Sequence, residues 1–215
     1  MRRVRSLAIL LILSLAACGR ARPSATVATP TYTPAPTGTP DVCAGATAPG
    51  ARQKFTFEQI VPCLKTAPQV SAFMMNNMKY DVEYDIRERG GNEYAPAGVV
   101  YERGVDDADG FAILECYFLE RNGSDAFVIG LSIESPTGGN VCGVNTNGAI
   151  LVLGGAGEVG GPFNSLADLA RYFISKNWMK SGGTLRTLQA SKVTQITTDK
   201  TTPDVLGLAW VLHPY

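Results

Sequence analysis

Histidine is almost missing from this chain of 215 residues, which contains only His213, close to the C-terminus. A histidine side chain is the group that most often transfers protons in enzymes near neutral pH. A catalytic site that needs an imidazole base must therefore recruit His213, because no other position of the sequence supplies one.

A surplus of charge of either sign is also missing, because 19 basic residues balance 19 acidic ones. Proteins that bind nucleic acid usually carry lysines and arginines clustered on one face. Nothing in this sequence indicates such a face, so we do not expect nucleic acid as a partner.

The N-terminal segment lacks the length of apolar sequence that a transmembrane helix requires. Three arginines within the first five residues precede an apolar core at residues 7–15, whereas about 20 apolar residues are needed to span a bilayer. This order is typical of an export signal. The core is followed by Leu-Ala-Ala-Cys, which ends at Cys18 and is similar to the bacterial lipobox. The resemblance implies that residues 1–17 are a lipoprotein signal peptide and that Cys18 is lipidated.

A lipidated Cys18 would hold the protein at the cell membrane, where it faces outside the cytoplasm. Removal of residues 1–17 leaves 16 basic and 19 acidic residues, a net charge of −3. Residues 18–42 are rich in proline, threonine and alanine, a composition that cannot bury a core. We expect them to form an extended linker of up to about 75 Å, at ~3.1 Å per residue. A proline ligand for a partner protein is the alternative interpretation.

Four cysteines follow the linker, at Cys43, Cys63, Cys116 and Cys142. An even number of cysteines in an exported chain favours two disulfides, which can pair in three ways. We favour Cys43–Cys63, which joins the start of the fold to its first helix, and Cys116–Cys142, which joins a central helix to a strand. In the alternative, Cys116 and Cys142 are free buried thiols.

Residues 43–215 are sufficient for one domain, which would bury about 70% of its unfolded surface. Helices are predicted from Thr56, from near Pro68, at residues 95–102 and from Asn164 or Ser165 to about residue 178. Residues 80–86 alternate apolar and charged side chains, which predicts an extended segment or edge strand. Further strands are predicted at residues 126–134, 140–146, 148–153, 192–198 and 206–212, with a hairpin at Asn147-Gly148.

The centre of this domain is the stretch 101–131, in which an acidic loop precedes an apolar helix. Residues 111–119 are almost entirely apolar, which indicates a buried helix, and Asn122-Gly123 is a typical end of such a helix. We therefore predict the α+β class, with N-terminal helices and a buried central helix packed on a mostly antiparallel sheet.

The acidic loop contains Asp106, Asp107 and Asp109, which lie where the helix dipole favours negative charge. The loop does not fit the twelve-residue calcium-binding pattern, because alignment on Gly110 puts Val105 first and Cys116 last. We expect neither a metal ion nor a cofactor from this pattern.

The order of these elements resembles the transglutaminase-like (papain-like) cysteine proteinase superfamily. In that superfamily an acidic loop places a cysteine at the start of a buried helix, in a pattern such as Gly-Asp-Cys-Asp/Glu-Asp-Phe-Ala, and here residues 107–112 match it. The resemblance implies a thiol at position 108, an imidazole near position 140 and an orienting carboxylate near position 154. This sequence has Ala108, Asn140 and Gly154 there, so the catalytic triad is missing.

The sequence therefore predicts a lipid-anchored, catalytically degenerate domain that binds an envelope peptide, protein or glycan. Besides the three aspartates, Gly155 and Gly157 are candidate binding residues, in a glycine-rich loop that could act as a lid or as a contact loop. That stretch matches GxGxxG, but the following Gly161-Pro162 delays any helix, so a dinucleotide site is not expected.

Two alternatives remain open. In the first, the protein is an active cysteine protease or amide transferase with a rearranged site, in which Cys116 or Cys142 is the nucleophile and His213 the base. In the second, it is a spacer or assembly lipoprotein without a ligand.

Overall fold

The computed structural model describes residues 42–131, 139–155, 157–193, 196–198 and 210–215. These residues all belong to a unit that spans Pro40–Tyr215. The predicted signal peptide, Cys18 and nearly all of the linker lie outside the described residues.

Within those ranges, no helix combines the length and the apolar composition that crossing a membrane would require.

Three of the described α-helices begin at a threonine or serine that caps the helix. Thr56, Thr66 and Ser165 each accept a hydrogen bond from the backbone amide three residues further on, which satisfies an amide that the helix itself leaves unpaired. The α-helices are α1 (Ala51–Lys54), α2 (Phe57–Ile60), α3 (Ala67–Asn77), α4 (Ala97–Arg103), α5 (Ala108–Arg121) and α6 (Leu166–Ser175). Shorter turns are 3₁₀-helical at Val61–Cys63 and Ala190–Lys192 and π-helical at Asp85–Arg89.

The main sheet has six strands, and every pairing within it is antiparallel. The strands are β1 (Lys79–Tyr80), β2 (Asn92–Tyr94), β3 (Val105–Asp106), β4 (Asp125–Gly130), β5 (Asn140–Thr146), β6 (Ala149–Gly154), β7 (Gly157–Phe163), β8 (Thr184–Leu188), β9 (Ile196–Thr198) and β10 (Val211–Pro214). The six-stranded order is β10-β8-β4-β5-β6-β7, and β1-β3 and β2-β9 form separate pairs. The predicted α+β class is confirmed.

The sheet separates two apolar clusters. Val128 belongs to the cluster that contains most of α5, whereas its neighbour Ile129 belongs to the cluster that contains α6. Successive strand residues point to opposite faces, so α5 and α6 cover opposite sides of the sheet. Ten of the fourteen residues of α5 are buried, which confirms the predicted central helix.

Both favoured disulfides are present. Cys43 is bonded to Cys63, and Cys116 of α5 is bonded to Cys142 of β5. The second bond fixes the position of the central helix along the sheet. The interpretation of Cys116 and Cys142 as free thiols is therefore wrong.

The extended segment predicted at residues 80–86 is wrong beyond Tyr80. The chain turns at Asp81, whose side chain accepts a hydrogen bond from the amide of Glu83, and the π-helical turn follows. Aspartate competes with strand pairing through such local hydrogen bonds. The side chain of Asp85, in that turn, is buried and accepts a hydrogen bond of 2.7 Å from the amide of Glu93.

Strands β7 and β8 were not predicted from the sequence, and the strand predicted from residue 192 begins only at Ile196. Residues 190–192 instead form a 3₁₀ turn, since the carboxylate of Glu120 accepts hydrogen bonds from the amides of Ala190 and Ser191. This long-range contact cannot be read from local sequence.

Glu115 is a fully buried acid on the central helix. Neither of its carboxylate oxygens has a hydrogen-bond partner among the described residues. Burial raises the pKa of Glu115 well above its ordinary value, so the folded protein holds this carboxyl group in its neutral form.

Glu115→Gln should make the free energy of unfolding less dependent on pH. Above about pH 4.3 the unfolded chain ionises this residue while the folded chain keeps its proton, so stability falls as pH rises, by about 1.4 kcal/mol per unit. Urea unfolding between pH 5 and 7 should show a shallower loss for the variant. Glu58→Gln, at an exposed glutamate, should follow the wild-type curve. Parallel curves for wild type and Glu115→Gln would contradict the assignment.

Candidate functional site

The amino end of α5 places Ala108 at the first helical position. Asp107 caps the helix by accepting a hydrogen bond of 2.9 Å from the amide of Asp109. Asp106 in turn accepts one of 3.0 Å from the amide of Asp107. Two successive aspartates therefore pair backbone amides at this end of the helix, and both favour the positive end of the helix dipole.

Gly110 makes room for Asp106 beneath the helix. A Cβ atom at Gly110 would lie 2.4 Å from Cγ and 2.8 Å from Cβ of Asp106, far inside van der Waals contact. Position 110 therefore requires glycine, because any Cβ atom there would collide with the Asp106 side chain.

Asn140 begins β5 and lies next to the amino end of α5. Its side-chain amide donates a hydrogen bond of 2.8 Å to Oδ1 of Asp109, and both side chains are buried. Gly130 lies opposite Asn140 in the pairing of β4 with β5. It leaves space for the Asn140 side chain, since a Cβ atom at Gly130 would lie 2.8 Å from Oδ1 of Asn140. The structure thus brings the residues matched to the nucleophile and the imidazole to the same place.

Gly154, matched to the orienting carboxylate, ends β6. Its neighbour Leu153 pairs with Cys142, two residues after Asn140, so Gly154 lies at the same end of the sheet. Ala108 and Asn140 thus meet at the amino end of α5, Gly154 lies at the same end of the sheet as Asn140, and none of the three positions carries a thiol, an imidazole or a carboxylate.

The glycine-rich stretch beyond Gly154 is not the loop that the sequence predicted. Gly155 lies in a turn with φ +64 and faces Tyr80, whereas Gly157 begins β7 and pairs with Gly154. Pairing with β6 holds this glycine-rich segment in a strand despite its low strand propensity. The expectation of a glycine loop is therefore wrong from Gly157 onward, where the chain forms a strand.

A second polar group beside Asn140 was missed at the sequence level. The phenol of Tyr94 lies beside Asn140, and its ring packs edge-on against Trp210 at 6.3 Å. The guanidinium of Arg186 lies 4.8 Å above the Trp210 ring. These residues come from β2, β8 and the start of the last described segment, so only the fold brings them together.

Five carboxylates surround the amino end of α5. Asp85 and Glu93, which were not predicted, join Asp106, Asp107 and Asp109, and four of the five are buried while Asp107 is partly exposed.

Two arginines neutralise part of this charge. Arg103 contacts Glu93 at 2.8 Å and Asp106 at 3.3 Å, and Arg89 contacts Glu93 at 2.9 Å. Neither Asp85 nor Asp107 forms an ion pair with a described residue.

Two carboxyl groups of the cluster that lack an ion pair with a described residue have raised pKa values. Burial, with the neighbouring Asp109 and Asp85, raises the pKa of Asp107 to about 8. Burial also raises the pKa of Asp85 to about 7, although the hydrogen bond from the amide of Glu93 acts against it. The amino end of α5 therefore resists taking up more negative charge, which makes it poorly suited to generate a thiolate.

The rearranged catalytic site requires a thiol near His213, and the structure keeps these groups apart. Cys116 and Cys142 are bonded to each other. His213 lies on β10, with Nε2 3.1 Å from the Thr187 hydroxyl. Three strand spacings separate β10 from β5, about 14 Å at 4.7–4.9 Å each.

Comparison with known proteins finds no family model that matches the chain and no curated protein that matches its sequence. The similarity to the transglutaminase-like superfamily therefore remains a prediction, which rests on the residues at the amino end of α5.

Gly110→Ala should destabilise the protein by about 1–3 kcal/mol, because overpacking forces Asp106 or the helix to move. An alanine in an unobstructed helix would instead be favoured by about 1 kcal/mol. Urea unfolding measures the change. In an Asp106→Gly background the substituted Cβ meets none of the three atoms now in its way, so Gly110→Ala should be tolerated there. An equal cost in both backgrounds would show that the contact with Asp106 is not the reason for glycine.

Proposed function

We propose that this protein is a lipid-anchored envelope protein whose folded domain is a degenerate member of the transglutaminase-like superfamily. In this proposal the domain binds an envelope peptide, protein or glycan and does not cleave it. The lipid on Cys18 holds it at the membrane, outside the cytoplasm, and residues 18–42 serve as the tether.

The observation that carries the proposal is the chemistry at the amino end of α5. Ala108 cannot attack a carbonyl, and the side-chain amide of Asn140 is committed to Asp109 and does not accept a proton near neutral pH. The surrounding carboxylates disfavour a thiolate even if a thiol were present. The role that we propose for this position is therefore ligand binding without catalysis.

The surface beside Ala108 supports a binding role. Ala108 and Asp107 are partly exposed, and Tyr80, exposed to 42%, packs edge-on against Phe111 one helical turn further on. An aromatic ring next to acidic groups is a surface that suits a cationic or sugar-bearing ligand better than an acidic one.

Position 108 should be accessible but inert. In the folded full-length protein, Ala108→Cys should react with a thiol reagent, whereas Ala170→Cys, at a buried helical alanine, should react only after denaturation. Neither Ala108→Cys nor the wild type should hydrolyse or transfer amide substrates, because no imidazole is in reach. Turnover by the wild type would refute the proposal, and turnover by Ala108→Cys alone would show that another group supplies the base.

Lipidation should depend on Cys18 alone. Cells fed radiolabelled palmitate should label the wild-type protein and a Cys43→Ser/Cys63→Ser variant but not Cys18→Ser. Labelling of Cys18→Ser would show that the N-terminal segment was misinterpreted.

Binding can be distinguished from a spacer role by photo-crosslinking in intact cells. A benzoylphenylalanine at position 108 should give a discrete adduct, whose mass identifies a peptide, protein or glycan. The same residue at position 180, an exposed site on another part of the domain, is the control. Absence of an adduct specific to position 108 would favour the spacer.

A further inference from the structure

Three of the acidic side chains at the amino end of α5 are close enough to share one cation. Asp85, Asp106 and Asp107 each offer a carboxylate oxygen, and these oxygens all lie within 4.8 Å of one another. Calcium binds oxygens at 2.3–2.6 Å, so two ligands of one ion are separated by at most about 5 Å. The spacing fits a single coordination sphere.

A separate observation indicates that a ligand is needed there. Oδ2 of Asp85 accepts the amide of Glu93 at 2.7 Å, but Oδ1 is buried and has no hydrogen-bond partner among the described residues. The whole residue is only 1% exposed. A buried carboxylate oxygen without a partner is costly.

The charge of the cluster favours a bound cation, rather than an additional hydrogen-bond donor, as the partner of Oδ1 of Asp85. Arg103 and Arg89 contact Glu93 and Asp106, which leaves Asp85 and Asp107 without a cationic partner in the described part of the chain. Carboxylates at this separation in a buried site can all ionise only against strong mutual repulsion. A divalent ion would remove the repulsion and satisfy Oδ1 of Asp85 in one step.

We propose that Asp85, Asp106 and Asp107 form a binding site for a divalent cation, for which Ca²⁺ is the best match. Calcium prefers carboxylate oxygens and tolerates irregular geometry. Three protein ligands leave the remaining positions to water, which indicates an affinity on the order of 10⁻⁴–10⁻³ M, as in extracellular calcium modules. The site does not depend on the proposed binding function, and either can fail without the other.

The earlier expectation of no metal ion rested on the spacing of an EF-hand loop, in which neighbouring residues supply the ligands. In this site Asp106 comes from β3 and Asp107 from the N-cap of α5, whereas the third ligand comes from the π-helical turn at Asp85–Arg89. The cation would therefore join two segments that are separate in sequence.

Thermal unfolding of the full-length protein in detergent tests the site. Addition of 10 mM CaCl₂ after chelation should raise Tm by about 2–6 °C, as expected for a ligand about tenfold above its Kd, while NaCl of equal ionic strength should not. Terbium provides a direct probe, because it occupies calcium sites and is excited through nearby tyrosines such as Tyr84. Its luminescence should be quenched by Ca²⁺.

Asp107→Asn is the most informative variant, because asparagine caps a helix as well as aspartate does while it removes a charged ligand. Asp85→Asn likewise keeps an oxygen that can accept the amide of Glu93. Both should fold, and both should lose the calcium shift and the terbium signal. Glu88→Gln, at an exposed glutamate of the same turn, should keep them.

No response of the wild type to calcium or terbium would overturn the proposal. An equal response in Asp85→Asn and Asp107→Asn would do the same, since it would place the ion elsewhere. A response to Mg²⁺ and not to Ca²⁺ would overturn the choice of calcium.

Discussion

The structure depends on where the central helix begins. Helix α5 is buried along most of its length, and Cys116 is bonded to Cys142 of the sheet, so the helix cannot shift along the sheet. Its start is fixed by the Asp107 cap, and Gly110 admits Asp106 beneath the first turn. A displacement by one residue would unpair amides, overlap a carboxylate with the backbone and strain the disulfide at once.

Because the start of α5 is fixed, the acidic side chains, Ala108 and Asn140 all lie at the amino end of this helix. The amino end of a buried helix attracts negative charge, and the packing of β2, β3 and the π-helical turn against it collects five carboxylates with two arginines. The same end holds Ala108 and Asn140. The superfamily that the sequence resembles is expected to hold a reactive thiol at this position, and this chain has an alanine there, beside the acidic cluster.

Local sequence patterns predicted the structure correctly where the interactions they depend on are made by residues close in sequence. The threonine and serine caps, the Asn147-Gly148 hairpin with positive φ at both residues and the helix of residues 108–121 could all be predicted, because each depends on neighbours within a few residues. Prediction failed for the segment after Tyr80 and for β7, since the burial of Asp85 and the pairing of a glycine-rich strand with β6 are decided by distant parts of the chain.

For the candidate site, the sequence by itself determined that position 108 has no nucleophile, that one histidine exists, and that aspartates precede the central helix. Residue identity settles those points without a fold. Only the tertiary structure decided that Asn140 contacts Asp109, that Asp85 and Glu93 join the acidic residues, and that His213 lies strands away from the cysteines. Distances between residues far apart in sequence are set by sheet register and helix packing, which local pattern does not encode.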